Sequence, residues 1–241
     1  MGNSFTYFGY PNFSTSPTSV WNPGSFQGQG ILSAWLRADI GVTLGSTMTW
    51  VDSIGGNSFQ QSTSAQQPTL NTSDSAYNGH SSLSFLSSNT QSLTLTSLTL
   101  PIPYTMIWIG NETTGSTAGF MGSNNAALTC LYSSGVDAAM YCAGAVIAAR
   151  TTVTPSIVAG IFTSTVGSIY VNSSATPANT GTIAGASLSS QFYIGAVAAG
   201  AGAGTLNGKI AEVMIFSQAL AQPTLSQVFQ YAGARYGQGW S

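Results

Sequence analysis

Charge is what this sequence has least of. Four Lys and Arg and six Asp and Glu are all that 241 residues carry, where an ordinary domain of that length holds about 60 charged side chains. The cations, Arg37, Arg150, Lys209 and Arg235, are scattered along the chain. Nothing resembles the basic patch that tracks phosphates, so nucleic acid is excluded as a partner. Histidine occurs once, as His80 in the polar run NGHSS, and reads as a solvated turn residue rather than a general base. The six acids, Asp39, Asp52, Asp74, Glu112, Asp137 and Glu212, lie too far apart for two to share a strand, so the paired carboxyls of glycoside cleavage are missing. No catalytic residue is expected. Glu212, between apolar neighbours in KIAEVMIF, reads as a buried structural acid held by Arg, Lys or backbone amides. No apolar run approaches the roughly 18 residues of a membrane helix, so no membrane partner is expected. The opening MGNSFTYFGYPNF has neither a basic nor an apolar signal region, so no signal peptide is expected.

Cysteine is nearly absent as well. Cys130 and Cys142 stand alone in LTCLYSSGVDAAMYCAG, too few for a disulfide framework. The polar SSGVD between two apolar runs predicts a hairpin with its loop near residues 134–138. The midpoint of the two cysteines falls in that loop, so they would face one another across it. A disulfide between Cys130 and Cys142 and two buried free thiols are both open readings. Two thiols without further ligands make no metal site.

What is present is apolar and neutral polar. Hydrophobic residues make up 43% and aromatics 11% of the chain, enough for one large core that needs no staple. The remaining surface is Ser, Thr, Asn, Gln and Gly. Residues 1–30 form an arm, with Phe5, Tyr7, Phe8, Tyr10, Phe13 and Trp21 among Gly, Pro and Ser, and with no charge. Pro11, Pro17 and Pro23 break any regular element there. The arm either wraps its own domain or anchors the protein to an assembly through those aromatics.

Residues 31–241 read as one domain of short strands. ILSAWL, TMTWVD, SSLSF, SLTLTSLTL, YTMIWIG, AGFMG, ALTCLY, AAMYCAG, SIVAGIF, SIYVN, QFYIG and KIAEVMIF alternate or run apolar between turn clusters. That rhythm is an antiparallel sandwich or jelly roll, with no βαβ alternation. One helix follows, from Pro223 to Gly237, with Leu225, Val228, Phe229, Ala232 and Tyr236 on one stripe. The Ala/Gly run at residues 196–208 is a loop and not a nucleotide motif.

Three blocks carry a family resemblance. LSAWLRADIGVTLGSTMTWVDSIGGN supplies Trp35, Leu36, Ala38, Asp39, Val42, Trp50, Asp52, Gly56 and Asn57. QQPTLNTSDSAYNGHSSLSF and LNGKIAEVMIFSQALAQPTLSQVFQYAGARYG follow in order, with SIYVN between them and Ser173 where the family has Gly. The chain resembles the concanavalin A-like lectin/glucanase jelly roll in its laminin-G-like form, as found in phage and bacterial surface proteins, over about residues 31–237. The resemblance implies an all-β jelly-roll sandwich with one short C-terminal helix. The family's glucanase pattern Glu-x-Asp-x-x-Glu is absent, so an enzyme is not expected. Some members bind Ca²⁺, and Asp52 and Asn57 sit in a suitable loop, but six to eight oxygens are needed and carboxylates are few. No metal site or other cofactor is expected, with Ca²⁺ the one candidate. Trp50, Trp108, Tyr132, Tyr141 and Tyr170 are the aromatics a glycan could use, though their strand patterns read as core. The expected function is a non-enzymatic structural protein of a virion surface, a phage head decoration, fibre or tail-attached component. Its partners would be capsid or tail proteins and copies of itself. The alternative is a carbohydrate-binding adhesion module that takes a host-surface glycan.

Overall fold

The apolar alternation resolves into two stacked antiparallel sheets with a helix on the outside of one. The protein is described from a computed structural model covering residues 21–113, 117–124, 128–150, 154–197 and 204–241. In chain order the strands are β1 (Leu32–Arg37), β2 (Val42–Thr43), β3 (Met48–Val51), β4 (Ser58–Gln61), β5 (Thr69–Asn71), β6 (Ser82–Phe85), β7 (Leu93–Leu100), β8 (Tyr104–Glu112) and β9 (Ala118–Ser123). They continue as β10 (Thr129–Ser134), β11 (Asp137–Tyr141), β12 (Ala145–Ala148), β13 (Ser156–Phe162), β14 (Val166–Val171), β15 (Asn179–Thr182), β16 (Leu188–Ile194) and β17 (Gly208–Phe216), before helix α1 (Gln222–Tyr236). One sheet runs β15-β14-β13-β8-β17-β6-β5, with β1 also on β17. The other runs β12-β11-β10-β9-β16-β7-β4-β3-β2.

The buried runs follow from this layering. β8, β13 and β17 lie mid-sheet, between the second sheet on one side and the helix layer on the other, and are buried over nearly their whole length. On β8, Met106 and Trp108 face the inter-sheet core, while Ile107 and Ile109 face α1. A strand covered on both faces needs no polar alternation. Trp108 stacks on Phe120 of the opposite sheet, with centroids 4.0 Å apart and planes 7° from parallel. The helix buries the stripe its spacing predicted, Leu225, Val228, Phe229, Ala232 and Tyr236. Pro occupies its first turn, and Gly237 closes it at φ 66°, a left-handed conformation that favours glycine.

Residues 21–30 are not devoid of regular structure. Pro23–Gln29 form a 3₁₀ helix that starts with Pro23, and Asn22 Oδ1 accepts from Gly24 N at 2.9 Å. Pro23 opens this turn instead of breaking it, because its lost N–H has no partner in a first turn. Five short strands, β2, β4, β5, β12 and β15, were not legible as periodic segments.

The predicted hairpin exists, but the disulfide reading is corrected. β10 and β11 turn at Gly135 and Val136, and Cys130 pairs with Tyr141, not with Cys142. One residue of register moves a side chain to the other face. Cys142 therefore points into the inter-sheet core, with Thr129 Oγ1 at 3.2 Å, while Cys130 lies on the outer face beside Tyr132 and Tyr141. Both thiols are free and buried.

Candidate functional site

Most of the few charges are paired with one another. Glu212 owes its place to a bulge. The β17 register shifts against β8 between Ile210 and Glu212, so Ala211 and Glu212 both face the helix layer. There the fully buried carboxylate accepts from Trp35 Nε1 at 2.5 Å, Tyr236 OH at 2.6 Å and Tyr231 OH at 3.1 Å, with Arg235 Nε at 3.6 Å. Burial pushes its pKa up, against the pull of Tyr236, Trp35, Arg235 and Tyr231. Arg235 also holds Asp39 through Nη2 at 2.5 Å. Lys209 pairs with Asp74 at 2.8 Å, and Arg150 with Glu112 at 2.7 Å in full burial. The Arg150 guanidinium lies over Phe120. Arg37 lies over the Trp35 ring at 4.6 Å. Asp52 accepts from the amides of Ile54, Gly55 and Asn57 at 2.8, 2.5 and 2.7 Å, which makes it a turn acid. Asp137, half-exposed on β11, is the remaining charge.

A cleft of about 670 Å³ opens where α1, the turn after Ser75–Tyr77 and Trp21 meet. The helix contributes Gln227, Gln230 and Ala234, with Tyr231 and Arg235 beside them. Those positions recur at three and four residues, so they share one face. The turn contributes Asn78 and His80. Asn78 sits in a left-handed conformation at φ 56°, and its Nδ2 donates to Arg235 O at 3.2 Å. Trp21 is half-buried and held edge-on by Phe26 (5.6 Å) and Tyr231 (6.4 Å), and Tyr231 meets Trp35 in the same way at 6.3 Å. His80 is half-buried rather than fully solvated. Its Nδ1 is 4.0 Å from Asp39 Oδ2, and its ring packs edge-on to Tyr236 at 5.6 Å. Burial and the Arg235 guanidinium hold the imidazole below its ordinary pKa, against Asp39. The cleft thus offers an indole, several amides, an imidazole and a guanidinium whose charge Asp39 and Glu212 already balance.

The residues singled out in the sequence are dispersed. Trp50 and Trp108 are fully buried, and Tyr170 nearly so. Tyr132 and Tyr141 are half-buried and line a shallow depression of about 170 Å³ on the outer face of the nine-stranded sheet, with Cys130 and Val197. Asp52 and Asn57 share one turn, but Asn57 Nδ2 donates to Ser33 O. Among the described residues, no group of three or more His, Cys, Asp or Glu could hold a metal ion. Trp21 packs on its own sandwich, while Phe5, Tyr7, Phe8, Tyr10 and Phe13 lie outside the described residues. Sequence reasoning passed over Asn78, Gln227 and Gln230. The only signal for the two glutamines was their position on the polar side of the helix stripe.

A family model described as the concanavalin A-like lectin/glucanases superfamily matches residues 102–226, just over half of the chain. The chain belongs to this superfamily. The concanavalin A-like frame recurs in solved structures of low identity. Domain 4 of an extracellular arabinanase from Geobacillus stearothermophilus, in complex with arabinotriose, aligns with TM-score 0.55 and 13% identity over 84% of this chain and 98% of that one. The binding domain of botulinum neurotoxin serotype D/C aligns with TM-score 0.59 and 11% identity, over 86% and 53%. A Trypanosoma rangeli sialidase aligns with TM-score 0.54 and 12% identity, over 86% and 33%. The chain thus spans about a third of the sialidase and about half of the toxin binding domain. At these identities the likeness is one of fold. No curated protein matches the chain. Within the superfamily's sandwich, the helix-side cleft lies outside the eight-stranded sheet, not between the sheets.

Proposed function

We propose that this chain is a non-enzymatic, lectin-type surface module whose partners are uncharged, with a neutral glycan as the favoured partner. One observation carries the reading: three of the four cations are tied up in Arg235–Asp39, Lys209–Asp74 and Arg150–Glu112. An exterior so nearly free of charge cannot steer ionic partners. Among the described residues no carboxylate lines the cleft, and Glu212 is sealed beneath Tyr231 and Tyr236, which supports a site without the acid and base of sugar cleavage. The arabinanase domain solved with arabinotriose supports a sugar as the partner class.

A second reading places the module on the outside of a virus particle, as a head decoration, fibre or tail-attached component. It is favoured by the uncharged aromatic segment with Phe5, Tyr7, Phe8, Tyr10 and Phe13. Exposed Ile40, Leu44, Val136, Ile147 and Val166 suit contacts with sister subunits, and so a homo-oligomer.

The test is a glycan array of neutral and acidic oligosaccharides, run with hydrolysis assays on the same glycans. Retention of neutral glycans without cleavage is expected. Sugar release, or binding confined to acidic glycans, overturns the proposal. Immunogold labelling at a repeated position on purified particles is the outcome expected from the second reading.

A further inference from the structure

We infer that the cleft between Trp21 and helix α1 is the saccharide site of this protein, built for an uncharged ring. The inference rests on the glycan reading above and assigns it a place.

Sugar recognition needs a flat apolar surface for the C–H face of the ring and hydrogen-bonding groups around its hydroxyls. The cleft brings these together. Trp21 is fixed by Phe26 and Tyr231, so its ring is set before any ligand arrives. Gln227 and Gln230 are exposed on the helix, and Asn78 on the turn. Each amide both donates and accepts, as a hydroxyl does. His80, with a third of its side chain exposed, hydrogen-bonds the Arg235 backbone through one ring nitrogen and leaves the other for a ligand.

The charge balance selects the ligand. Among the described residues Arg235 is the only Lys or Arg on the cleft wall, and Asp39 and Glu212 hold it at 2.5 and 3.6 Å. A carboxylated or sulfated sugar would have to compete with both carboxylates for it, whereas a neutral sugar meets no such cost. The volume of about 670 Å³ lies mid-range for small-ligand sites and suits a short oligosaccharide.

The test compares the full chain with Trp21→Ala, with Gln227→Ala/Gln230→Ala, and with Tyr141→Ala on the far sheet. All are measured by calorimetric titration with the neutral oligosaccharides that the array retains. Loss of the ring contact in Trp21→Ala should weaken binding about tenfold. The double Gln variant, whose side chains are exposed and whose fold is therefore safe, should weaken it several-fold. Tyr141→Ala should leave it unchanged. If both cleft variants bind as the parent does while Tyr141→Ala does not, the site is wrong and the glycan reading stands. If the parent binds no glycan at all, both fall. Preference for an acidic sugar, lost in Arg235→Gln, overturns the assignment of ligand class.

Discussion

At the scale of single residues, the buried acids and the one histidine make firm claims. Glu212 meets three neutral donors and one guanidinium. Glu212→Ala strands those donors and should cost about 3–5 kcal/mol, read as a lower urea midpoint. Glu212→Gln keeps the shape and should cost less. His80 has a folded pKa below its ordinary 6.5 because burial and Arg235 disfavour the cation. As pH falls, the unfolded chain therefore takes up the proton first. Stability from this group is full above pH 6.5 and declines as the pH drops from there through the folded value. His80→Gln should flatten that stretch of a Tm–pH curve, and a curve of unchanged shape counts against the argument. Asp74 has the same sign lower on the scale. Burial opposes its charge, but Lys209, Ser82 and the Ala76 amide hold its pKa below the ordinary 3.8, so its contribution fades as pH falls below that value.

At the scale of elements, the β10–β11 hairpin and α1 are the informative cases. Cys130 faces Tyr141, and burial pushes its thiol up to about 12, with Cys142 adding to the shift. Thiol titration should find neither cysteine reactive in the native protein and both reactive in denaturant. A mild oxidant should leave Tm unchanged, whereas a raised Tm after oxidation would show that the register is wrong. The helix ends where Gly237 turns left-handed at φ 66°. Gly237→Ala should cost about 1 kcal/mol, since a Cβ resists that backbone. Both ends of α1 were readable from Pro223 and Gly237. The cysteine register was not, because a hairpin's sequence fixes its turn only to within a residue, while a single step decides which face each thiol takes.

At the scale of the molecule, the pairing of its few charges defines how the protein meets its surroundings. Ligand binding should change less than about twofold between low and high salt, because no exposed charge carries it. A steep salt dependence, measured by titration at several NaCl concentrations, would point to a charged contact. Chelation of divalent ions should leave Tm unmoved, since amides already occupy the Asp52 oxygens.

The sequence by itself determined the all-β class, the C-terminal helix, the hairpin around residue 136 and the scarcity of field. Each follows from short-range periodicity or from counting, which need no knowledge of neighbours. Tertiary structure alone decided the rest. Strands as short as Val42–Thr43 exist only because a partner strand completes their hydrogen bonds. The bulge that turns Glu212 toward Trp35 arises where β17 carries one extra residue, Ala211, against β8, and neither strand shows it alone. The cleft joins Trp21, Asn78 and Gln227 from three distant segments, brought together because α1 must bury its stripe on the eight-stranded sheet.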